Sequence, residues 1–241
     1  MNKLWIFGDS YSTYNRERGA DNVSLSIYTK LANHLNLIET NKSISGLGNI
    51  DIYNNLLKFL PEYNSGDCII FQLSFLDRFS YIDEIKNRKL NDHESDLFSV
   101  SGRFFLHPQY YYNSNKKLTE TQKQAFTDFI KNNSNNLIDI YFKFFIQLKH
   151  IVFFLETKGV KFKILILEER DMDYNGESIH ISTLLNNNGL KNNLLLIQDR
   201  MSIRAARFYL EAEEYEYHHF TLNTIEKYAE ALKQNFNEFK I

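Results

Sequence analysis

Short, unbroken apolar runs, each set off by turn residues and followed by residues at helical spacing, recur along the chain and constrain its fold more than any other feature. Lys3–Phe7 (KLWIF) stops at Gly8-Asp9. Cys68–Ser74 (CIIFQLS) follows the turn chemistry of Asn64-Ser65-Gly66-Asp67, and Lys163–Leu167 (KILIL) and Leu194–Gln198 (LLLIQ) have the same character. Runs this short without polar alternation suit strands buried on both faces. Between them, Tyr28, Leu31, Ala32 and Leu35 fall at helical spacing, as do Ile50, Tyr53, Leu57 and Leu60 before Pro61. Strand-then-helix repetition predicts an α/β chain with a mostly parallel sheet covered on both faces. A short strand near Ile44 would make the sheet five-stranded.

Further along, the spacing predicts a long core helix whose apolar stripe runs from Leu137 to Leu155 and closes at Gly159, with Asn132–Asn136 as a candidate break. Thr119 and Gln122 form a capping box ahead of it. Residues 222–238 predict a last amphipathic helix, with Thr221 and Asn223 as capping residues. The stretch 75–118 has mixed charge and an aromatic patch but no sustained period, and reads as an insertion of helix and loop in an otherwise single domain, 1–241.

Composition removes several function classes. Twenty-eight Lys and Arg stand against 30 Asp and Glu, for a net charge of −2, so a phosphate-backbone partner is not expected. The lone Cys68 sits inside an apolar run and reads as an inert core thiol. His93, His107, His150 and His180 show no ligand spacing, and Glu168, Glu169, Asp171 and Asp173 read as an acidic solvated loop, so no metal is expected. Leu137–Leu155 carries Asp139, Lys143, Lys149 and His150, which would be costly in a bilayer, and the first residues hold too few apolar side chains for a signal-peptide core. The expectation is a cytoplasmic protein with no membrane partner.

In an open parallel sheet, ligands bind beyond the carboxyl ends of the strands. Gly8-Asp9-Ser10, Gly46-Leu47-Gly48-Asn49 and Gln72-Leu73-Ser74 all fall at such ends. A serine hydroxyl needs a base to accept its proton, and the base needs an orienting partner. Glu216-Tyr217-His218-His219, just before the last helix, offers a carboxylate three residues ahead of a histidine. His218 competes as base, and Glu213 and Glu214 compete as orienting acid.

These blocks, in this order, resemble the SGNH or GDSL hydrolase family. The resemblance implies a flavodoxin-like, three-layer α/β/α sandwich with a central five-stranded sheet and a serine esterase that needs no cofactor or metal. It assigns Ser10 as nucleophile, His219 as base and Glu216 as its orienting acid. Ser10 and Gly46 would supply oxyanion-hole N–H groups, with Asp9 and Asn49 lining the site. The family's third block normally brings an asparagine, and here Ser74 stands in that place as a substitute donor; glutamate also replaces the usual aspartate at 216. The implied substrate is a small-molecule or glycan ester carrying a short acyl group, O-acetyl on a carbohydrate among them. Two rival readings are a carbohydrate O-acyltransferase using the same acyl-serine, and a catalytically weak glycan-binding or structural member.

Overall fold

β1 (Lys3–Phe7) shows why the apolar runs are unbroken: Leu4 and Ile6 pack into one core cluster while Trp5 and Phe7 pack into another on the opposite face of the sheet. In the computed structural model the described residues are 1–9, 12, 27–44, 47–74, 79–82, 103–106, 141–167, 171–174, 177–195, 214–215, 219–220 and 222–236. β1 pairs in parallel with β2 (Ile38–Asn41) on one side and β3 (Cys68–Leu73) on the other, and β3 pairs in parallel with the strand Lys161–Ile166. The result is an α/β chain with a four-stranded parallel sheet. Beyond its last strand, Leu194 forms a parallel bridge with Ile164, and the Leu195 N–H donates to Ile164 O at 2.8 Å.

Helices cover both faces. α1 (Ile27–His34) follows β1, and its Ile27, Tyr28, Leu31 and Ala32 pack with Leu4, Ile6 and Ile70. On the other face, Ile52 and Leu56 of α2 (Asn49–Lys58) meet Trp5, Phe7 and Phe71. Tyr53, Leu57 and Leu60 of the expected stripe pack against the edge of this cluster, whereas Ile50 is 39% exposed. That same face takes helix α3 (141–157), whose Tyr141, Phe144, Phe145, Leu148, Val152 and Leu155 realise the long stripe. α3 ends where Gly159 adopts φ +77°, letting the Val160 N–H reach Leu155 O and the Gly159 N–H reach Glu156 O.

Among the described residues, three antiparallel pairs lie outside the main sheet: β4 (Phe79–Ile82) with β5 (Arg103–Leu106), β7 (Asp171–Tyr174) with β8 (Glu177–His180), and β9 (Glu214–Tyr215) with β10 (His219–Phe220). Lys161–Ile166 is β6 in this order, and α4 (Ile181–Asn187) and α5 (Leu222–Phe236) complete the helices named here. The expected acidic loop is thus replaced in part by a hairpin, since Asp171 and Asp173 lie on β7. Its signal was the dipeptide Asn175-Gly176 between two alternating runs, the residues a two-residue hairpin loop favours. Asn223 falls within α5, one residue inside its start, rather than capping it. The aromatic residues Tyr110, Tyr111 and Tyr112 and the Thr119–Gln122 box lie outside the described residues.

The second strand also falls earlier than expected. Ile38–Asn41 has only one neighbour, at the sheet edge, and is half-exposed, so it lacks an apolar run. Its pairing continues past Asn41 through Lys42 N–H to Ile6 O and Ile44 N–H to Gly8 O, which is where the chain had looked strand-like.

One buried carboxylate locks the far end of the sheet. Asp67, 1% exposed, accepts the Lys3 N–H at 2.8 Å, the Trp5 indole N–H at 3.0 Å and the Asn64 N–H at 3.1 Å. Asp67→Ala leaves these donors without that acceptor and is expected to cost about 2–3 kcal/mol, as hydrogen bonds to a charged group are the stronger kind. Denaturant unfolding measures it; a loss below about 0.5 kcal/mol, the size of an ordinary surface substitution, would refute this account of Asp67.

Candidate active site

The strand order β2-β1-β3-β6 means that the chain leaves β1 to one side and returns on its other side. A topological switch point of this kind opens a crevice at the carboxyl ends of β1 and β3. Gly8 and Asp9 emerge at one wall and Gln72 to Ser74 at the other.

Polar side chains that the sequence places in apolar surroundings are joined there. Asp9 is fully buried; its Oδ1 accepts the Gln72 side-chain N–H at 2.8 Å and its Oδ2 accepts the Ser74 hydroxyl at 2.6 Å. Gln72 then turns its carbonyl to the hydroxyl of Ser12, which donates to it, and to the Tyr28 hydroxyl 3.2 Å away. Tyr28 also lies 3.2 Å from Ser12 Oγ. Burial pushes the Tyr28 phenol above its ordinary range; its Ser12 hydrogen bond opposes this, and the charges of Asp9 and Glu39 reinforce it. The phenol is therefore a neutral donor at physiological pH.

On the other side, Asn49 clasps the peptide of Ser74. The Ser74 N–H donates to Asn49 Oδ1 at 2.7 Å, and Asn49 Nδ2 donates to Ser74 O at 3.2 Å. The cap of α2 is instead Gly48, without a side-chain cap bond, and Asn49 is the first helical residue. Its amide ties the start of α2 to the end of β3.

Ser10, Gly46 and Glu216 lie outside the described residues, and His219 is described by its backbone. The segments on either side of Ser10 and Gly46 are nonetheless fixed to one another. The Ser12 N–H donates to Asp9 O at 3.0 Å, and the Leu47 N–H donates to Ile44 O at 3.3 Å. The Ile44 N–H to Gly8 O bond, at 3.1 Å, joins the two segments, and Asn41 Nδ2 to Ser12 O, at 2.7 Å, joins them again. The described residues that flank these two positions in sequence, Asp9 and Ser12, Ile44 and Leu47, thus lie near one another at the carboxyl end of β1.

His219 comes from the opposite end of the sequence. In the β9–β10 ribbon it is the register partner of Tyr215, with Glu216 in the connection, while Glu214 is the partner of Phe220. His219, expected in a loop, thus lies on a short strand ahead of α5 in sequence. Lys30 on α1 pairs with Glu226 on α5, and both line an open groove of about 470 Å³ with His34, Glu230 and Lys233. The two helices thus lie side by side.

Gln72 and Tyr28 were not read as site residues from the sequence. The signal for Gln72 is an amide within a wholly buried strand, which must be hydrogen-bonded; Tyr28 looked like an ordinary apolar position of α1. Gly8 is held by close packing. A Cβ there would stand 2.4 Å from Ser12 Oγ, 2.8 Å from Ser12 Cβ and 3.0 Å from Gln72 Cβ. Gly8→Ala is accordingly expected to cost about 1–3 kcal/mol, the usual range for overpacking, and to shift the Asp9–Ser12 turn. Thermal unfolding with amide NMR of residues 8–12 tests both, and an unaltered melting temperature would refute the tight fit.

Among the described residues no group of three or more His, Cys, Asp and Glu side chains is placed to hold a metal ion, and no helix is long and apolar enough to cross a membrane. No family model matches the chain, and no match is found among curated proteins.

Proposed function

We propose that this chain is a serine ester hydrolase of the SGNH type, cleaving short acyl esters, with O-acetyl groups on a carbohydrate as one substrate class. The observation that carries the reading is the junction of the Gly8–Ser12 and Ile44–Leu47 segments at the switch point, above the buried Asp9–Gln72–Ser12 network. A nucleophile needs a rigid, strand-anchored turn, and an oxyanion hole needs backbone N–H groups on a neighbouring loop. Ser10 and Gly46 occupy those places in the sequence.

In the reaction, Ser10 Oγ attacks the acyl carbonyl as His219 takes its proton and Glu216 holds the imidazole. The N–H groups of Ser10 and Gly46 stabilise the tetrahedral oxyanion. His219 protonates the leaving alcohol, then activates water to cleave the acyl-enzyme. The proposal includes a five-stranded sheet in a three-layer α/β/α sandwich, Leu194–Gln198 extending the Leu194–Ile164 bridge into a fifth strand.

A fluorophosphonate tests the central claim, since it labels only an activated serine. One equivalent per chain at Ser10 is expected, located by peptide mass spectrometry and abolished by Ser10→Ala. Labelling elsewhere, or none in a folded protein, would sink the esterase reading. If Ser10 is labelled, product analysis with and without a sugar acceptor separates hydrolysis from acyl transfer.

A further inference from the structure

We infer that Ser74 is a positioning residue, which acts by holding Asp9, and not a donor to the oxyanion. The inference rests on the proposed esterase reading for its catalytic consequence. Its geometric basis is independent of that reading.

Ser74 is held at every polar atom it has. Its single hydroxyl proton goes to Asp9 Oδ2 at 2.6 Å, its N–H to Asn49 Oδ1 at 2.7 Å, and its carbonyl receives Asn49 Nδ2 at 3.2 Å. The residue is 2% exposed. A hydroxyl has one donor, and a bond to a buried carboxylate is of the strong, charge-assisted kind. Turning that proton toward a developing oxyanion would leave Asp9 short of a donor inside the protein, where an incompletely satisfied carboxylate is costly. The asparagine of the family's third block has two amide protons and could serve a carboxylate and a substrate together; Ser74 cannot. Asp9 immediately precedes Ser10, so the grip passes directly to the nucleophile turn, with Gln72 holding the second carboxylate oxygen. The Ser74 hydroxyl is consequently not one of the hole's donors.

A double-variant cycle separates the two roles, using Ser74→Ala, Asp9→Ala and both together. Hydrolysis of p-nitrophenyl acetate, unfolding free energy and the Ser10 amide resonance are the readouts. If Ser74 works through Asp9, Ser74→Ala lowers kcat by about 10- to 100-fold, as small misplacements of reacting groups do. It also lowers stability and moves the Ser10 amide, Ser74→Thr restores all three, and in the Asp9→Ala background it changes kcat by less than about twofold. A direct donor would give the opposite pattern: a loss of about 10²- to 10³-fold that is the same in both backgrounds, with stability unchanged. That pattern overturns the inference. Should the double variant not fold, Ser74→Ala alone decides by whether stability and the Ser10 resonance change with kcat. A wild-type protein without turnover would defeat the esterase reading, yet additive effects of the two substitutions on unfolding free energy would still overturn the link to Asp9, and non-additive ones would support it.

Discussion

Asp9→Ala is expected to destabilise the protein by about 2–4 kcal/mol, since two buried donors lose their acceptor at a cost of about 1–3 kcal/mol each. The carboxylate is fully buried and accepts both the Gln72 amide and the Ser74 hydroxyl. Without it, the Gln72 N–H and the Ser74 O–H lose that acceptor in a place where water has little access. Leaving a buried donor unsatisfied costs more than a typical hydrogen bond contributes. The loss also spreads, because Gln72 is oriented by Asp9 on one side and by Ser12 and Tyr28 on the other. Free to rotate, the Gln72 amide would present the wrong atoms to those hydroxyls. Asp9→Asn is expected to cost less, since its carbonyl can still accept from Gln72 while Ser74 turns to accept from the new amide. Denaturant unfolding of the three proteins provides the comparison. Equal stability of wild type and Asp9→Ala would show that the network does not hold the β1 loop.

Much of this arrangement was legible in the sequence, and the part that was not has a physical reason. KLWIF, CIIFQLS and KILIL announce parallel strands because burial on both faces demands apolar residues at every position. Ile38–Asn41 escaped that rule because an edge strand has a neighbour on one side only, so Glu39, Thr40 and Asn41 are tolerated there. The stripe of α3 was visible since its period lasts several turns, whereas α2 is short: Tyr53 and Leu57 pack against the core as expected, but Ile52 and Leu56 are the residues buried in it and Ile50 is exposed. Ten residues allow either register to look amphipathic. At the site, the Ile44 N–H to Gly8 O and Asn41 Nδ2 to Ser12 O bonds bring together two of the segments that the sequence singled out. What sequence could not reveal is pairing. Nothing local joins Asp9 to Ser74, 65 positions away, or Asn49 to the Ser74 peptide. Such partners emerge from the parallel register of β1 on β3, and each buried polar group then takes whichever neighbour the register supplies.

Ser10→Ala and His219→Ala are each expected to lower kcat for p-nitrophenyl esters by about 10⁴- to 10⁶-fold, the loss seen when the nucleophile or base of a serine triad is removed. The two losses must not add. Without Ser10 no acyl-enzyme forms, so the base has nothing to deprotonate, and without His219 the hydroxyl keeps its proton. A double variant should therefore fall no further than the single ones, leaving only the rate enhancement from the oxyanion N–H groups and substrate binding. Glu216→Gln is expected to lie between, with kcat lowered by about 10²- to 10⁴-fold, because an amide can leave the imidazole in the wrong tautomer without removing it. His218→Ala, in contrast, should retain wild-type kcat, which decides between the adjacent histidines. Unfolding free energies of both variants, measured alongside, separate a loss of chemistry from a loss of fold. Rates that survive both substitutions in folded protein would exclude Ser10–His219 chemistry. Loss in Ser10→Ala with full retention in His219→Ala would keep the nucleophile and transfer the role of base to another group.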